Sequence, residues 1–243
     1  MRIAFISDTH GNLVALEAVL ADIARSNVDQ IIFLGDALTM GPQPKPVIDL
    51  LRSLNCSCIL GNHDENLLNL DHIEDGNHAD WYIDIARWTA TQLDTADFDF
   101  LHSFQATLDI QLDDNAPQST IHCFHGSPKS NRDFLLVTTT DEELAEYLGS
   151  STATVLIGGH AHVQMIRRYG HSMLVNVGSV GFPLQHYPFS PPPPVLLWAE
   201  YAIVSWAGSL SIDLRRVDFD LDKARQLAGE SGMPHRVEGG WWP

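Results

Sequence analysis

The sequence is short of positive charge, of cysteine and of long apolar runs. Only 14 Lys and Arg stand against 31 Asp and Glu in 243 residues, a formal charge of −17 with His neutral. Binding to nucleic-acid backbone or to an anionic membrane surface draws on clustered Lys and Arg that release counterions. Non-specific nucleic-acid binding and electrostatic membrane binding are therefore not expected. Cys56, Cys58 and Cys123 are odd in number and form no C-x-x-C pair, which argues against a disulfide framework and for a reduced, cytoplasmic setting. No stretch approaches the roughly 20 apolar residues of a membrane-spanning helix. The opening MRIAFISDTHGN has too few apolar residues for a signal-peptide core, so no targeting segment is expected.

What is present is a core and an unusual polar composition. Hydrophobic residues make up 44% of the chain, ample for one sizeable domain, and neither an internal repeat nor a clear linker divides it; a single domain over residues 1–243 is the expectation. The acids are 22 Asp to 9 Glu, alongside 12 His. Such a mix suits turns, helix caps and metal ligands better than solvated helix faces.

Periodicity predicts strands over Arg2 to Ser7, Gln30 to Leu34 and Cys56 to Leu60, with helices from an Asn12 cap to about Ser26 and over Val47 to Leu54. This alternation is a parallel βαβαβ start, buried on both faces. A helix follows from about Trp81 to Leu93, then strands over Thr107 to Leu112 and Thr120 to Phe124, a helix near Asp141 to Leu148 and a strand over Thr154 to Ile157. From Val163 the pattern becomes strand after strand, over Val163 to Tyr169, Ser172 to Val177, Leu196 to Ala207 and Leu210 to Val217, and a short helix over Leu221 to Leu227. These later strands read as antiparallel additions to the parallel start. Pro191 to Pro194 reads as a stiff polyproline connector.

Polar residues cluster just beyond the strand ends. Asp8 and His10 follow the first strand, Asp36 the second, and Asn62, His63 and Asp64 the third; His125 follows IHCF, and His160 and His162 follow VLIGG. Each alone fits an ordinary turn, cap or surface residue. Ligands of parallel α/β sheets bind beyond the carboxyl ends of strands, however, so five segments converge on one place. A mixed Asp, Asn and His shell without thiolate suits Mn, Fe, Zn, Co or Ni and disfavours a Cys zinc site or an all-oxygen calcium site. Six or seven ligands exceed one ion's needs and accommodate two ions sharing a carboxylate, an arrangement that serves phosphoryl transfer.

Taken in order, DTH at Asp8 to His10, GD at Gly35 and Asp36, GNHD at Gly61 to Asp64, HG at His125 and Gly126, and GHAH at Gly159 to His162 resemble the motif series of the calcineurin-like metallophosphoesterases; NVGSVG at Asn176 to Gly181 resembles a further element of their small bacterial phosphodiesterase branch. The resemblance implies a four-layer αββα sandwich of two mixed sheets flanked by helices. It implies that Asp8, His10 and His162 hold one ion, that Asp36 bridges, and that Asn62, His125 and His160 complete the second. It implies further that a metal-bridging hydroxide attacks phosphorus while His63, oriented by Asp64, assists outside the metal shell. Gly35, Gly61 and Gly159 would let the backbone turn tightly beside the ligands.

The substrate is constrained by one departure. Protein phosphatases and dinucleoside tetraphosphatases of this superfamily carry an Arg shortly after GD, whereas this chain reads GDALTMGPQP. A small or nucleotide-type phosphodiester is therefore the expected substrate, ahead of a monoester or phosphoprotein; a non-catalytic interaction module is disfavoured because no ligand is missing. Lys129, Arg132, Asn12, Asn176 and Ser179 are candidate substrate contacts, each with an ordinary loop or cap role as the competing explanation. Trp241 and Trp242, in the closing GGWWP, could pack on the body or in a homo-oligomer.

Overall fold

The computed structural model describes residues 1–74, 78–113, 115–116, 119–187 and 194–234. The first half contains β1 (Arg2–Ile6), α1 (Leu13–Ala24), β2 (Gln30–Phe33), α2 (Pro44–Ser53), β3 (Ser57–Cys58), α3 (Asn62–Leu68), α4 (Leu70–Glu74), α5 (Asp80–Thr91) and α6 (Thr95–His102). The second contains β4 (Leu108–Gln111), β5 (Thr120–Cys123), α7 (Asp141–Leu148), β6 (Val155–Gly158), β7 (Met165–Tyr169), β8 (Ser172–Asn176), β9 (Ala199–Trp206), β10 (Leu210–Val217) and α8 (Leu221–Glu230). Two five-stranded mixed sheets result, one in the order β10-β9-β1-β2-β3 and the other β4-β5-β6-β8-β7.

Alternation along the strands explains the layers. In β1, Ile3 and Phe5 face the second sheet and share one core with Ile121, Cys123, Val155, Ile157 and Val175. Ala4 and Ile6 point the other way, into a core with Leu16 and Val19 of α1 and Ile48 and Leu51 of α2. On the far side of the second sheet, Leu156 and Leu174 pack against Leu144 and Leu148 of α7. Helix, sheet, sheet, helix is the αββα sandwich, and strands covered on both faces need the continuous apolar runs seen in β1, β2 and β6.

The parallel start is present: β1 pairs in parallel with β2, and β2 with β3. Asn12 caps α1 by accepting a hydrogen bond from the Ala15 amide. α2 begins three residues earlier than its apolar pattern, at Pro44, because a first-turn proline lacks only an N–H that has no helical partner. The late strands form two antiparallel hairpins, which join different sheets. The β7–β8 hairpin completes the second sheet, with β8 parallel to β6, whereas the β9–β10 hairpin crosses to the first sheet and pairs antiparallel with β1.

Three helices lie where no helix is predicted. α3 begins at Asn62, directly inside the GNHD motif, and α4 and α6 are short, with α6 capped by Asp94. β3 is correspondingly brief, because after Cys58 the chain pairs only through an isolated bridge from Ile59 to Gln105. Most of the Pro191 to Pro194 run and the Trp241 and Trp242 tail fall outside the described residues. No helix among the described residues is long and apolar enough to cross a membrane.

Candidate metal centre and active site

The loops after β1, β2, β5 and β6 and the start of α3 meet at one edge of the sandwich. Asp8, His10, Asp36, His160 and His162 all adopt left-handed backbone, with φ of 55°, 46°, 61°, 65° and 56°. Such a conformation costs a non-glycine residue about 1 kcal/mol or more, though Asp and His tolerate it better than most, and it clusters at functional sites. Backbone hydrogen bonds between the loops hold it in place: Asp8 N to Gly35 O at 2.8 Å, His10 N to Asp36 O at 3.1 Å, Gly159 N to His125 O at 3.0 Å and Gly181 N to Asp8 O at 2.9 Å. The tight turning expected of three glycines is therefore done largely by the polar residues themselves. Gly35 does take a positive φ of 103°. Gly61 has an ordinary extended conformation, and it and Gly159 serve instead by leaving room, since a Cβ at either would run into the carboxylate of Asp36 or Asp8.

Donor atoms converge in the way a cation requires. Asp8, His10 and His162 form one group, and Asp36, His125 and His160 another, each with its donor atoms within 4.8 Å of one another. Three of the imidazoles are anchored at Nδ1 by backbone carbonyls: His10 on Thr39 O at 3.0 Å, His125 on Leu34 O at 2.7 Å and His162 on Phe182 O at 2.7 Å. A carbonyl accepts only, so each Nδ1 carries hydrogen and each neutral ring turns its Nε2 lone pair inward. The inward nitrogens crowd: His10 Nε2 lies 3.1 Å from His162 Nε2, which is itself 3.1 Å from Asp8 Oδ1. Asp8 Oδ1, Asp36 Oδ2 and His160 Nε2 are buried without a hydrogen bond of good geometry. Lone pairs facing one another in a dry site repel unless a cation lies between them. Asn62 Oδ1 joins the second group 3.2 Å from His125 Nε2. The residues present thus fit transition-metal ions.

The electrostatics agree. Burial raises a carboxylic acid and lowers an imidazole. Asp8 and Asp36 are buried, yet the charge of the neighbouring imidazoles outweighs desolvation, His162 foremost at Asp8 and His125 at Asp36; Asp8 falls to about 2 and Asp36 well below the usual carboxylate range. Desolvation pushes His125 down, but Asp36 and Asp8 raise it to about 9. Its Nε2 lies 3.3 Å from Asp36 Oδ2, so a proton occupies that contact when no cation does. His10 and His160 drop to about 4 and about 3, chiefly through burial, and remain lone-pair donors at neutral pH.

His63 is placed differently. A ring nitrogen lies within 4.8 Å of donor atoms of His10 and Asp36. Its Nδ1, however, meets hydroxyls: Thr39 Oγ1 at 2.6 Å and Tyr82 OH at 3.3 Å. A hydroxyl either donates or accepts, which leaves the ring free to carry hydrogen on Nε2. Burial pushes this ring down to about 3, so it is neutral. The expectation that Asp64 orients it is not met. As the third residue of α3, Asp64 turns its carboxylate back to the amides of Asp36 at 2.7 Å, Ala37 at 2.9 Å and Gly61 at 3.3 Å, fixing the loop that carries Asp36. Thr39, three residues past Asp36 on that same loop, was legible in principle; Tyr82, on α5, carries no motif.

A cavity of about 460 Å³ opens over these donors. Of the candidate substrate contacts only Arg132 lines it, its guanidinium held by Glu65 Oε2 and Asn66 Oδ1, both at 2.8 Å. Lys129 borders a separate cleft and is exposed. Asn12, Asn176 and Ser179 are buried and structural: Asn12 caps α1 and donates to Gly181 O at 3.3 Å, Asn176 donates to Gly159 O, and Ser179 donates to Asp8 O at 2.8 Å. Their proximity to the motifs in sequence reflects support of the ligand loops. The wall contains residues that no pattern marks, among them His78, Trp81, Tyr82, Phe134 and Phe182.

With this geometry in view, comparison with known proteins decides the family. The model of the calcineurin-like phosphoesterase superfamily domain matches residues 1–191. The chain belongs to that superfamily. It is 27% identical over 241 residues to an uncharacterized protein of Methanocaldococcus jannaschii, covering 96% of this chain and 93% of that one. A metallophosphoesterase structure from Sphaerobacter thermophilus superposes with a TM-score of 0.73 at 26% identity, covering 97% and 96% of the two chains. A shorter likeness, 38% identity over 71 residues, links it to a symmetrical bis(5′-nucleosyl)-tetraphosphatase of Pectobacterium atrosepticum, over 28% of this chain and 25% of that enzyme. Superfamily membership supports a metal-dependent hydrolase acting on phosphoesters.

Proposed function

We propose that this phosphoesterase hydrolyses a small phosphodiester with two metal ions, Asp8, His10 and His162 holding one, Asn62, His125 and His160 the other, and Asp36 shared. The observation that carries the reading is the convergence of buried donor atoms, Asp8 Oδ1, Asp36 Oδ2 and His160 Nε2, that lack a hydrogen bond of good geometry and crowd against imidazoles whose Nδ1 atoms are already occupied. Bound there, transition-metal ions such as Mn, Fe, Zn, Ni or Co polarise phosphoryl oxygens and lower the pKa of water enough to furnish a nucleophile at neutral pH.

The chain's own residues supply the rest. Asp64 and the interlaced loops hold the donors in strained backbone, so little reorganisation accompanies reaction. His63, kept neutral by burial, acts as a hydrogen-bond donor: with the Thr39 hydroxyl donating to Nδ1, Nε2–H is aimed at the phosphoryl or departing oxygen as negative charge develops. Removing one such donor costs about 10²- to 10³-fold in turnover. Tyr82 supports the same nitrogen and in turn accepts from Asn66 Nδ2 at 2.7 Å.

The scarcity of basic side chains beyond the metal donors supports a diester over a monoester. Arg132 is the sole Lys or Arg lining the cavity among the described residues, and Glu65 already neutralises it. A diester brings one negative charge to this site and a monoester dianion two. The test is hydrolysis of an aryl phosphodiester and the matching aryl monoester by the Mn²⁺-loaded protein: a higher kcat/KM on the diester is expected, a monoester preference overturns the substrate assignment, and activity on neither overturns the enzyme reading.

A further inference from the structure

Resting on the two-ion reading above, we infer that Phe134 is a positioning residue for the second ion, its ring holding the His160 imidazole in place of the backbone carbonyl that holds each of the other ligand imidazoles. His10, His125 and His162 each commit Nδ1 to a carbonyl, a bond that fixes both the tautomer and the rotation of the ring. His160 has no such bond. Its amide reaches Asp8 Oδ2 at 3.1 Å, but its ring makes no hydrogen bond among the described residues, and Nε2 is buried. Packing must therefore set the angle of this ring. Phe134 lies over it with centres 4.2 Å apart and planes 35° apart, and the His125 ring approaches at 5.1 Å and 60°. A ring this close over an imidazole obstructs the rotation that would carry its donor nitrogen away from Asp36 and His125.

The loop after β5 is built to present that ring. Ser127 Oγ donates to Asp133 Oδ2 at 2.5 Å, and Leu135 is buried with Leu144, Leu148 and Leu156, so both chain neighbours of Phe134 are pinned. Gly126 leaves room for the loop to fold back, since a Cβ there would come within 2.8 Å of the Asp133 carbonyl oxygen. Arg132 ties the same loop to Glu65 and Asn66 of α3, the helix that opens with Asn62.

One segment thus carries His125 at its start, braces the helix of Asn62 and lays a ring on His160. These are the three residues assigned to the second ion alone. The first donor group has its supports elsewhere, His10 on Thr39 O, His162 on Phe182 O and the Asp8 amide on Gly35 O. Loss of the Phe134 ring should therefore act on one ion and spare the other.

Calorimetric titration of the metal-free protein with Mn²⁺ tests this. Phe134→Leu keeps an apolar side chain but removes the flat ring; it should weaken one of two ions about 10- to 100-fold and leave the other unchanged, the unchanged ion showing that the fold is intact. Phe134→Tyr should restore the wild-type value, because its ring packs in the same way. Turnover of Phe134→Leu should be low at limiting Mn²⁺ and return at saturating Mn²⁺. Equal weakening of both ions in that variant, or full affinity for both, overturns the role of Phe134 and leaves the phosphodiesterase reading intact. Turnover that stays low once both ions are bound does the same, and would make Phe134 a substrate contact. A wild-type protein that binds a single ion overturns the two-ion reading and this inference together.

Discussion

The floor of the cavity is polar, buried and bent into left-handed backbone, whereas its walls are aromatic, partly exposed and carried by α5 and by loops of ordinary conformation. The floor draws Asp8, Asp36, His125 and His160 from the ends of four strands and ties them to one another through the backbone. Trp81 and Phe134 are placed instead by ring packing, Trp81 beside Tyr82 and Phe134 against His160. The difference is one of tolerance: donor atoms need placement to a fraction of an ångström, whereas packed rings tolerate looser placement. Within the floor a second contrast appears, between imidazoles anchored on carbonyls, which turn Nε2 inward as a lone-pair donor, and His63, anchored on hydroxyls, which we propose carries its hydrogen on Nε2.

The sharpest break comes at Asp36. Replacing it, Asp36→Ala, should reduce hydrolysis to the background rate and lower the metal content of the protein, measured by elemental analysis; near-normal turnover would show that the two donor groups do not depend on a shared carboxylate. His63→Ala comes next. Turnover should fall about 10²- to 10³-fold while metal content stays intact. Loss of metal in that variant would move His63 from the hydrogen-donor class into the ligand class and erase the contrast.

Metal binding should also depend on pH with a definite sign. His125 has its pKa raised to about 9, so below that pH it holds a proton that an incoming cation must displace; His10 and His160, lowered to about 4 and about 3, hold none near neutrality. Affinity should therefore rise with pH, by up to about tenfold per unit through the neutral range, and level off above about pH 9. Calorimetry in buffers of different ionisation enthalpy should find about one proton released on metal binding near neutrality. Zero release would mean that His125 is already neutral beside Asp36. The smallest effect belongs to the support of His63: Thr39→Val, which removes the 2.6 Å contact, should lower kcat by about tenfold, the worth of one hydrogen bond, with KM unchanged. A change confined to KM would place Thr39 among substrate contacts.

The same floor and wall contrast governs what the sequence reveals. Strand alternation and glycine-flanked polar triplets make β1, β2, β5 and β6 and the residues beyond them legible, because a buried parallel strand needs an apolar run and a ligand needs a particular side chain. Helix α3 is not legible as a helix, since its first turn consists of Asn62, His63 and Asp64, chosen for chemistry at the expense of apolar periodicity. Asp64 illustrates a subtler limit. Its place next to His63 in sequence implies a partnership, but at the N-terminal turn of a helix successive side chains diverge, and its carboxylate turns to backbone amides instead. Trp81, Tyr82 and Phe134 resemble any core or surface aromatic until the fold brings α5 and the loop after β5 to opposite sides of one cavity.

Metal stoichiometry tests the central claim most directly. Titration of metal-free protein with Mn²⁺, followed by calorimetry and elemental analysis, should saturate at two ions per chain, the two donor groups meeting at Asp36. Saturation at one ion, or binding that survives the removal of both Asp8 and Asp36, would contradict the account.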